Sequence, residues 1–119
     1  MDENDPTLLH LQKCSTKYNM AERLKVKTIY SLLSNLRGWE VIDEDSLTKL
    51  RCTFLCRTFS GSMSFANDIA KISEEQNHHP KMIVEYKKVT VIWWTHELAG
   101  LHHNDFIMAA KCSRIASRL

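Results

Sequence analysis

The sequence predicts an α+β fold: one four-stranded antiparallel sheet with its helices packed on one face, in the order α-β-β-α-β-β-α. Three observations carry that expectation. Two stretches rich in β-formers, 39–59 and 81–95, each hold a short polar turn, as hairpins do. Helical periodicity precedes, separates and follows them. Breakers stand at the joints: Gly38, Ser60-Gly61-Ser62, Pro80 and Gly100.

Residues 1–20 are polar and weakly patterned, and read as an N-terminal extension in which Pro6 and Thr7 could start a short helical turn. The domain proper reads as 21–119. From about Ala21 to Leu36, the residues Leu24, Ile29, Leu32, Leu33 and Leu36 keep a helical rhythm, and Gly38 stops it. Trp39 to Asp43 reads as a short strand, Asp43-Glu44-Asp45-Ser46 as a turn, and Leu50 to Phe59 as the partner strand. Ser60-Gly61-Ser62 offers an N-cap for a helix from about Ser62 to Gln76, with Met63, Phe65, Ala66, Ile69, Ala70 and Ile72 on its apolar side. Lys81 to Tyr86 and Val89 to Thr95 form the second hairpin, turning at Lys87-Lys88. Along its second strand Val89, Val91, Trp93 and Thr95 point one way, and Thr90, Ile92, Trp94 and His96 the other. Asn104 to Arg118 is the closing helix.

A chain of 119 residues is one domain, large enough for a core and small enough to gain from oligomerisation. A net charge of +2 is too mild to imply a nucleic-acid partner. No stretch approaches the ~18–20 apolar residues of a membrane span. The acidic start, Met1-Asp2-Glu3, is no secretory signal, so the expected location is cytoplasmic, with the nucleus as a second one. Cys14, Cys52, Cys56 and Cys112 show no CxxC spacing and read as reduced, small core residues.

The residues that suggest chemistry are histidines. His78 and His79 adjoin, and Pro80 after them disfavours α geometry, which puts the pair in the helix-to-strand connection. In extended backbone their rings diverge, to flank a site or to face opposite sides. His96 ends the last strand on the face of Ile92 and Trp94. Glu74, four residues before His78, can reach a ring N–H. Asp105 stands near the start of the closing helix, where a carboxylate favours the dipole. A zinc site is disfavoured, since there is no HxH or HExxH and adjacent rings chelate poorly. His102-His103 reads as an exposed loop pair. Trp93 and Trp94 fall on opposite faces, one in the core and the other a dimer contact or a stacking surface.

These residues resemble a known family. Glu74-x-x-x-His78-His79-Pro80, then Tyr86-x-x-Val89, Thr95-His96, Gly100-Leu101 and Asp105, with Asn35-Leu36-Arg37-Gly38-Trp39 before them, are similar to pterin-4a-carbinolamine dehydratase. That family is also known in animals as a dimerisation cofactor of a homeodomain transcription factor. The resemblance runs from about Leu33 to Ile115 and implies the same fold. It implies dehydration of a 4a-hydroxytetrahydropterin to the quinonoid dihydropterin, in tetrahydrobiopterin recycling. An acid must protonate the departing hydroxyl and a base must take the N5 proton, which imidazoles can do without a metal or organic cofactor. The resemblance makes His78 and His96 the acid–base pair, His79 a substrate-binding group that exchanges protons, and Glu74 the orienter of the histidines. Asp105, Thr95 and Trp39 support the site. It also implies a homodimer or homotetramer. The alternative is a non-catalytic dimerisation or coactivator module on the same fold, with a transcription-factor partner. Three departures stand out: His102 where the family usually has a Ser or Thr N-cap, apolar Ile92 and Trp94 on the outer sheet face, and an N-terminal region unlike the family through about Lys27.

Overall fold

The structure is a computed structural model and describes residues 6–119, so the acidic start lies outside the described residues. The expected order holds: α1 (Val26–Leu33), β1 (Glu40–Glu44), β2 (Leu47–Leu55), α2 (Phe59–Gln76), β3 (Lys81–Glu85), β4 (Lys88–Trp93) and α3 (His103–Ala116). The sheet is antiparallel, ordered β1-β2-β4-β3, so the hairpins join along β2 and β4, with β1 and β3 as edges. Leu50, Cys52, Val89, Val91 and Trp93 face the helices and meet Ile29, Phe65, Ile69 and Phe106 in one core. The inward set expected for the last strand is fully buried, Val89, Val91, Trp93 and Thr95, while Ile92 of the other set is buried as well, at 2 % exposed. Among the described residues no helix is long and apolar enough to cross a membrane.

Several boundaries differ from the sequence reading, each for a local reason. The first helix starts at Val26 and not near Ala21, because the Leu24 N–H donates to the Leu101 carbonyl (2.8 Å) and holds the chain extended there. Before it, Asn19 and Glu22 form a capping box around a single 3-10 turn, Met20–Glu22. Gly38 ends the helical region as expected, at φ 86°, which a side chain would strain. β2 begins at Leu47, since the turn is only Asp45-Ser46, both at positive φ as in a type I′ hairpin. It ends at Leu55, and α2 starts at Phe59, because Thr58 is the N-cap, its hydroxyl accepting from the Gly61 N–H at 2.9 Å. Met63 and Ala70 are exposed, so the buried side of α2 is narrower than expected. The second hairpin turns at Tyr86-Lys87, one residue earlier than read.

The segment before α1 is packed. Leu9, in the 3-10 turn Pro6–Leu11, is 1 % exposed in the core, with α3 as its neighbour. Lys111 Nζ donates to the His10 carbonyl (2.9 Å), and His103 Nε2 lies 2.9 Å from Gln12 Oε1. The Cys14 N–H donates to Gln76 Oε1 and the Ser15 N–H to Asn104 Oδ1, both at 2.9 Å. The cysteines are free thiols. Burial pushes Cys14 and Cys112 up to about 12 and Cys52 up to about 11, which leaves them poor nucleophiles.

Leu9→Ala is expected to cost about 2–4 kcal/mol in urea unfolding, as a core truncation does, while Leu11→Ala, 68 % exposed, stays within about 0.5 kcal/mol. Equal, small effects would mean that this segment is not docked.

Candidate active site

The end of α2 sets the direction of the histidine pair. Asn77 adopts the left-handed conformation (φ 51°, ψ 45°), the Asn77 N–H donates to the Glu74 carbonyl and the His78 N–H to the Ser73 carbonyl. This double closure turns the chain sharply out of the helix. Pro80 then leads into β3. Continuing the β3–β4 register two to three residues past Lys81–Ile92 sets His79 across from Trp94 and His78 across from Thr95. The pleat therefore sends the two rings to opposite sides, the second of the outcomes expected for adjacent histidines.

His78 goes inward. It is 6 % exposed and its ring stacks on Trp93, centroids 5.6 Å apart and planes within 7°. Nε2 lies 2.7 Å from Asp105 Oδ1. Asp105 is 0 % exposed, and its other oxygen accepts from the Thr95 hydroxyl (2.8 Å) and the His102 N–H (2.9 Å). Tyr18 reaches across from the N-terminal segment to place its hydroxyl 3.2 Å from His78 Nδ1.

His79 goes outward, half-exposed, with Nε2 3.1 Å from the exposed Glu74 carboxylate. His96 is exposed at the start of a 3-10 turn, His96–Leu98. A Thr95–Gly100 bridge closes that loop, and buried Leu98 anchors it. The His96 ring leans on Trp94, centroids 4.6 Å apart. Lys49 lies under this surface, 2 % exposed, its ammonium 3.9 Å from the centre of the Trp94 ring and 2.9 Å from Glu44. Hydrogen bonds from Lys49 and then Lys81 hold the Glu44 carboxyl below the usual carboxylate range.

The predicted residues thus form two neighbouring groups. His78, Asp105 and Thr95 are joined in a buried network, while His79, Glu74 and His96 lie on the outer side. Glu74 meets His79, and Asp105 is the carboxylate on His78, so a single orienter for all the histidines is not what the structure shows. Trp39 is a core residue whose N–H donates to Ser113 Oγ (2.8 Å) and whose ring meets Phe54 edge-on. His102 is buried and not an exposed loop residue. Its Nδ1 accepts from the Asn104 N–H (2.9 Å), so a histidine caps α3. His103 is half-buried, and burial, then the neighbouring His102, lowers its proton affinity. Sequence reasoning missed Tyr18 and Lys49. Tyr18 carried no signal, being 60 residues from its partner. For Lys49 a signal existed: the acidic turn Glu44-Asp45 that faces it. Among the described residues, no three His, Cys, Asp or Glu side chains converge as a metal site would require.

Comparison with known proteins agrees with this architecture. The model of the family described as pterin 4 alpha carbinolamine dehydratase matches residues 22–115. A protein of Saccharophagus degradans, provisionally named pterin-4-alpha-carbinolamine dehydratase, is 35 % identical over 109 residues, covering 92 % of this chain and 96 % of its own. A Vibrio cholerae protein with the same provisional name is 43 % identical over 84 residues, 71 % of this chain and 77 % of its own. The crystal structure of a Brucella melitensis protein described as transcriptional coactivator/pterin dehydratase superposes with a TM-score of 0.73 at 30 % identity, over 79 % of this chain and 98 % of that one. A pterin dehydratase-like RuBisCO assembly factor of the alpha-carboxysome shares the fold, with a TM-score of 0.57 at 18 % identity. From about the end of the N-terminal segment to the last turn of α3, this chain belongs to the pterin 4 alpha carbinolamine dehydratase family.

Proposed function

We propose that the protein dehydrates a 4a-hydroxytetrahydropterin to the quinonoid dihydropterin, as a step in recycling tetrahydrobiopterin. The observation that carries this reading is the pair of exposed imidazoles, His79 just before β3 and His96 just after β4 on the Trp94 ring, at one end of two adjacent strands. In the reaction the C4a–O bond breaks, the N5–H bond breaks, C4a=N5 forms, and hydroxyl and proton leave together as water. One group must protonate the leaving oxygen and another must take the N5 proton. Imidazoles do both near neutral pH.

In this reading His79 and His96, and not His78 and His96, meet the substrate directly. Both nitrogens of His78 already have protein partners. Glu74, on His79, then fixes that ring's tautomer. Asp105 and Thr95 hold the floor of the site. Trp39 serves the core. A pterin is the small-molecule partner, and no organic cofactor enters the chemistry. The protein assembles as a dimer or tetramer through a sheet edge, β1 or β3, which would otherwise leave backbone groups unpaired; a 14-kDa species in gel filtration of the assayed sample would contradict this. The interaction-module reading draws on the coactivator half of the Brucella protein's description, and the dehydration assay decides between the two.

His79→Ala and His96→Ala are each expected to lower stopped-flow dehydration by about 10²-fold or more, the range of a positioned acid–base group. Unchanged turnover in the folded variants would sink the assignment. The same two changes should leave stability within about 0.5 kcal/mol, as at exposed positions. Asp105→Ala, by contrast, should cost about 3–5 kcal/mol or abolish cooperative unfolding, because it strips a buried network of its shared acceptor. A loss below about 1 kcal/mol would show that the buried pair is not formed.

A further inference from the structure

The network around His78 continues beyond Asp105 in the other direction, and the senses of its outer hydrogen bonds are fixed by their donors. The Ser15 N–H can only donate, so the Asn104 atom that it meets at 2.9 Å is the amide oxygen. The Asn104 amide nitrogen therefore donates to the Ser15 carbonyl and to the Tyr18 hydroxyl, both at 3.0 Å. With its oxygen accepting from Asn104, Tyr18 has its own O–H left to give, and His78 Nδ1 lies 3.2 Å away. A neutral ring that accepts at Nδ1 carries its proton on Nε2, and that nitrogen faces Asp105 Oδ1 at 2.7 Å. Hydroxyl, imidazole and buried carboxylate thus stand in line, the order by which a weak acid is activated in other enzymes.

We propose that Tyr18 is a further catalytic residue: the proton-carrying end of a Tyr18–His78–Asp105 relay, through which buried His78 takes part in the dehydration. This rests on the reading above. As the base, the relay takes the N5 proton onto the Tyr18 oxygen while the Tyr18 proton passes to His78 Nδ1. The imidazolium is stabilised by Asp105. One of the two exposed imidazoles, protonated, gives its proton to the leaving hydroxyl, which departs as water, and the proton held on His78 returns through Tyr18 and solvent to that imidazole, so nothing further is consumed. Tyr18 suits the task by position. Its side chain is half-buried while the ring behind it is closed off, and the histidine it meets adjoins His79 in the chain. Burial raises the Tyr18 hydroxyl above its ordinary value, the Asn104 hydrogen bond opposing and Glu97 and Asp105 adding, so the residue enters the cycle protonated. It also precedes residues 22–115, the part matched by the family model.

The test is Tyr18→Phe in the full chain. Phenylalanine keeps the ring, which packs edge-on against His102 with centroids 5.1 Å apart, and removes only the hydroxyl. The relay requires kcat to fall roughly tenfold or more, a share of what acid–base groups supply, with KM unchanged. It also requires the ¹⁵N resonance of His78 Nδ1 to move toward that of an unbonded, unprotonated ring nitrogen. Unchanged kcat, or unchanged kcat with a lower KM as for a plug displaced by substrate, overturns the relay and leaves the dehydratase reading intact. A wild type that does not accelerate dehydration overturns both. Should the variant not fold, the wild-type spectrum at about pH 8, above the imidazole range, is decisive: a hydrogen-bonded, unprotonated Nδ1 supports the relay and a protonated Nδ1 overturns it.

Discussion

One buried carboxylate holds the functional end of this molecule together. Asp105 is fully enclosed and accepts from the Thr95 hydroxyl and the His102 N–H, with His78 Nε2 on its other oxygen. These three partners come from three places: the end of β4, the start of α3, and the link between α2 and β3. An ionised carboxylate is costly to bury and becomes tolerable only when its oxygens are met by well-directed donors. Here the donors are the very segments whose relative placement defines the site. The carboxyl oxygens are not all met unless β4, α3 and the α2–β3 link arrive together, which ties their satisfaction to the assembly of the site. The Trp93 ring stacked on His78 closes the remaining side against water.

The sheet's period of two then does the sorting. Adjacent histidines in a helix would lie about 100° apart on a single surface, whereas here the chain leaves α2 through the left-handed Asn77 and straightens before Pro80. Straight backbone sends one imidazole to the core and its neighbour to the outer face. His78 is thereby claimed by the buried carboxylate, and His79 is left half-exposed with a carboxylate that is itself solvated. The outer surface around them is stiffened from beneath. A buried ammonium on the Trp94 ring is stabilised by the ring's quadrupole and by Glu44, with Asp45 at 3.8 Å. His96 leans on a ring that is thus held from below.

Much of this was legible in the sequence, and what was not has common causes. Element order, the antiparallel sheet, the alternation of the last strand and the placing of the histidines between helix and strand follow from periodicity and breakers, which are local. The boundaries missed were decided by single hydrogen bonds. Thr58 outcompeted Ser60 and Ser62 as N-cap because its hydroxyl reaches the Gly61 N–H, and Leu24 was pulled out of the helix by Leu101. His102 read as exposed because a histidine seldom caps a helix, yet its Nδ1 supplies the same acceptor that a serine would. The division of labour between Glu74 and Asp105 depends on which side of the pleat each ring takes. Spacing alone brings Glu74 within reach of His78 and gives Asp105 only a place at the start of a helix.

The N-terminal segment poses the harder case, since polar composition and weak patterning argue for looseness. Its order comes from partners far away in sequence, so no window of the chain displays the reason. Leu9 supplies one apolar anchor. From residue 10 onward hydrogen bonds to α3 and the end of α2, namely to Lys111, His103, Gln76 and Asn104, join the packing of Cys14 and of the Tyr18 ring. Each such bond nets only about 1 kcal/mol, less than the backbone entropy of the residue that makes it. Such a segment is worth ordering only if several bonds and the anchor form together, and the anchor must come first because it restricts the chain that the bonds then fasten. The last of those fastenings lies on Tyr18, against His78. Packing strength at Leu9 should therefore bear on the placement of a hydroxyl at the buried histidine. A change that loosens the apolar anchor should reach His78 through the chain between them, without disturbing a single residue of the motif.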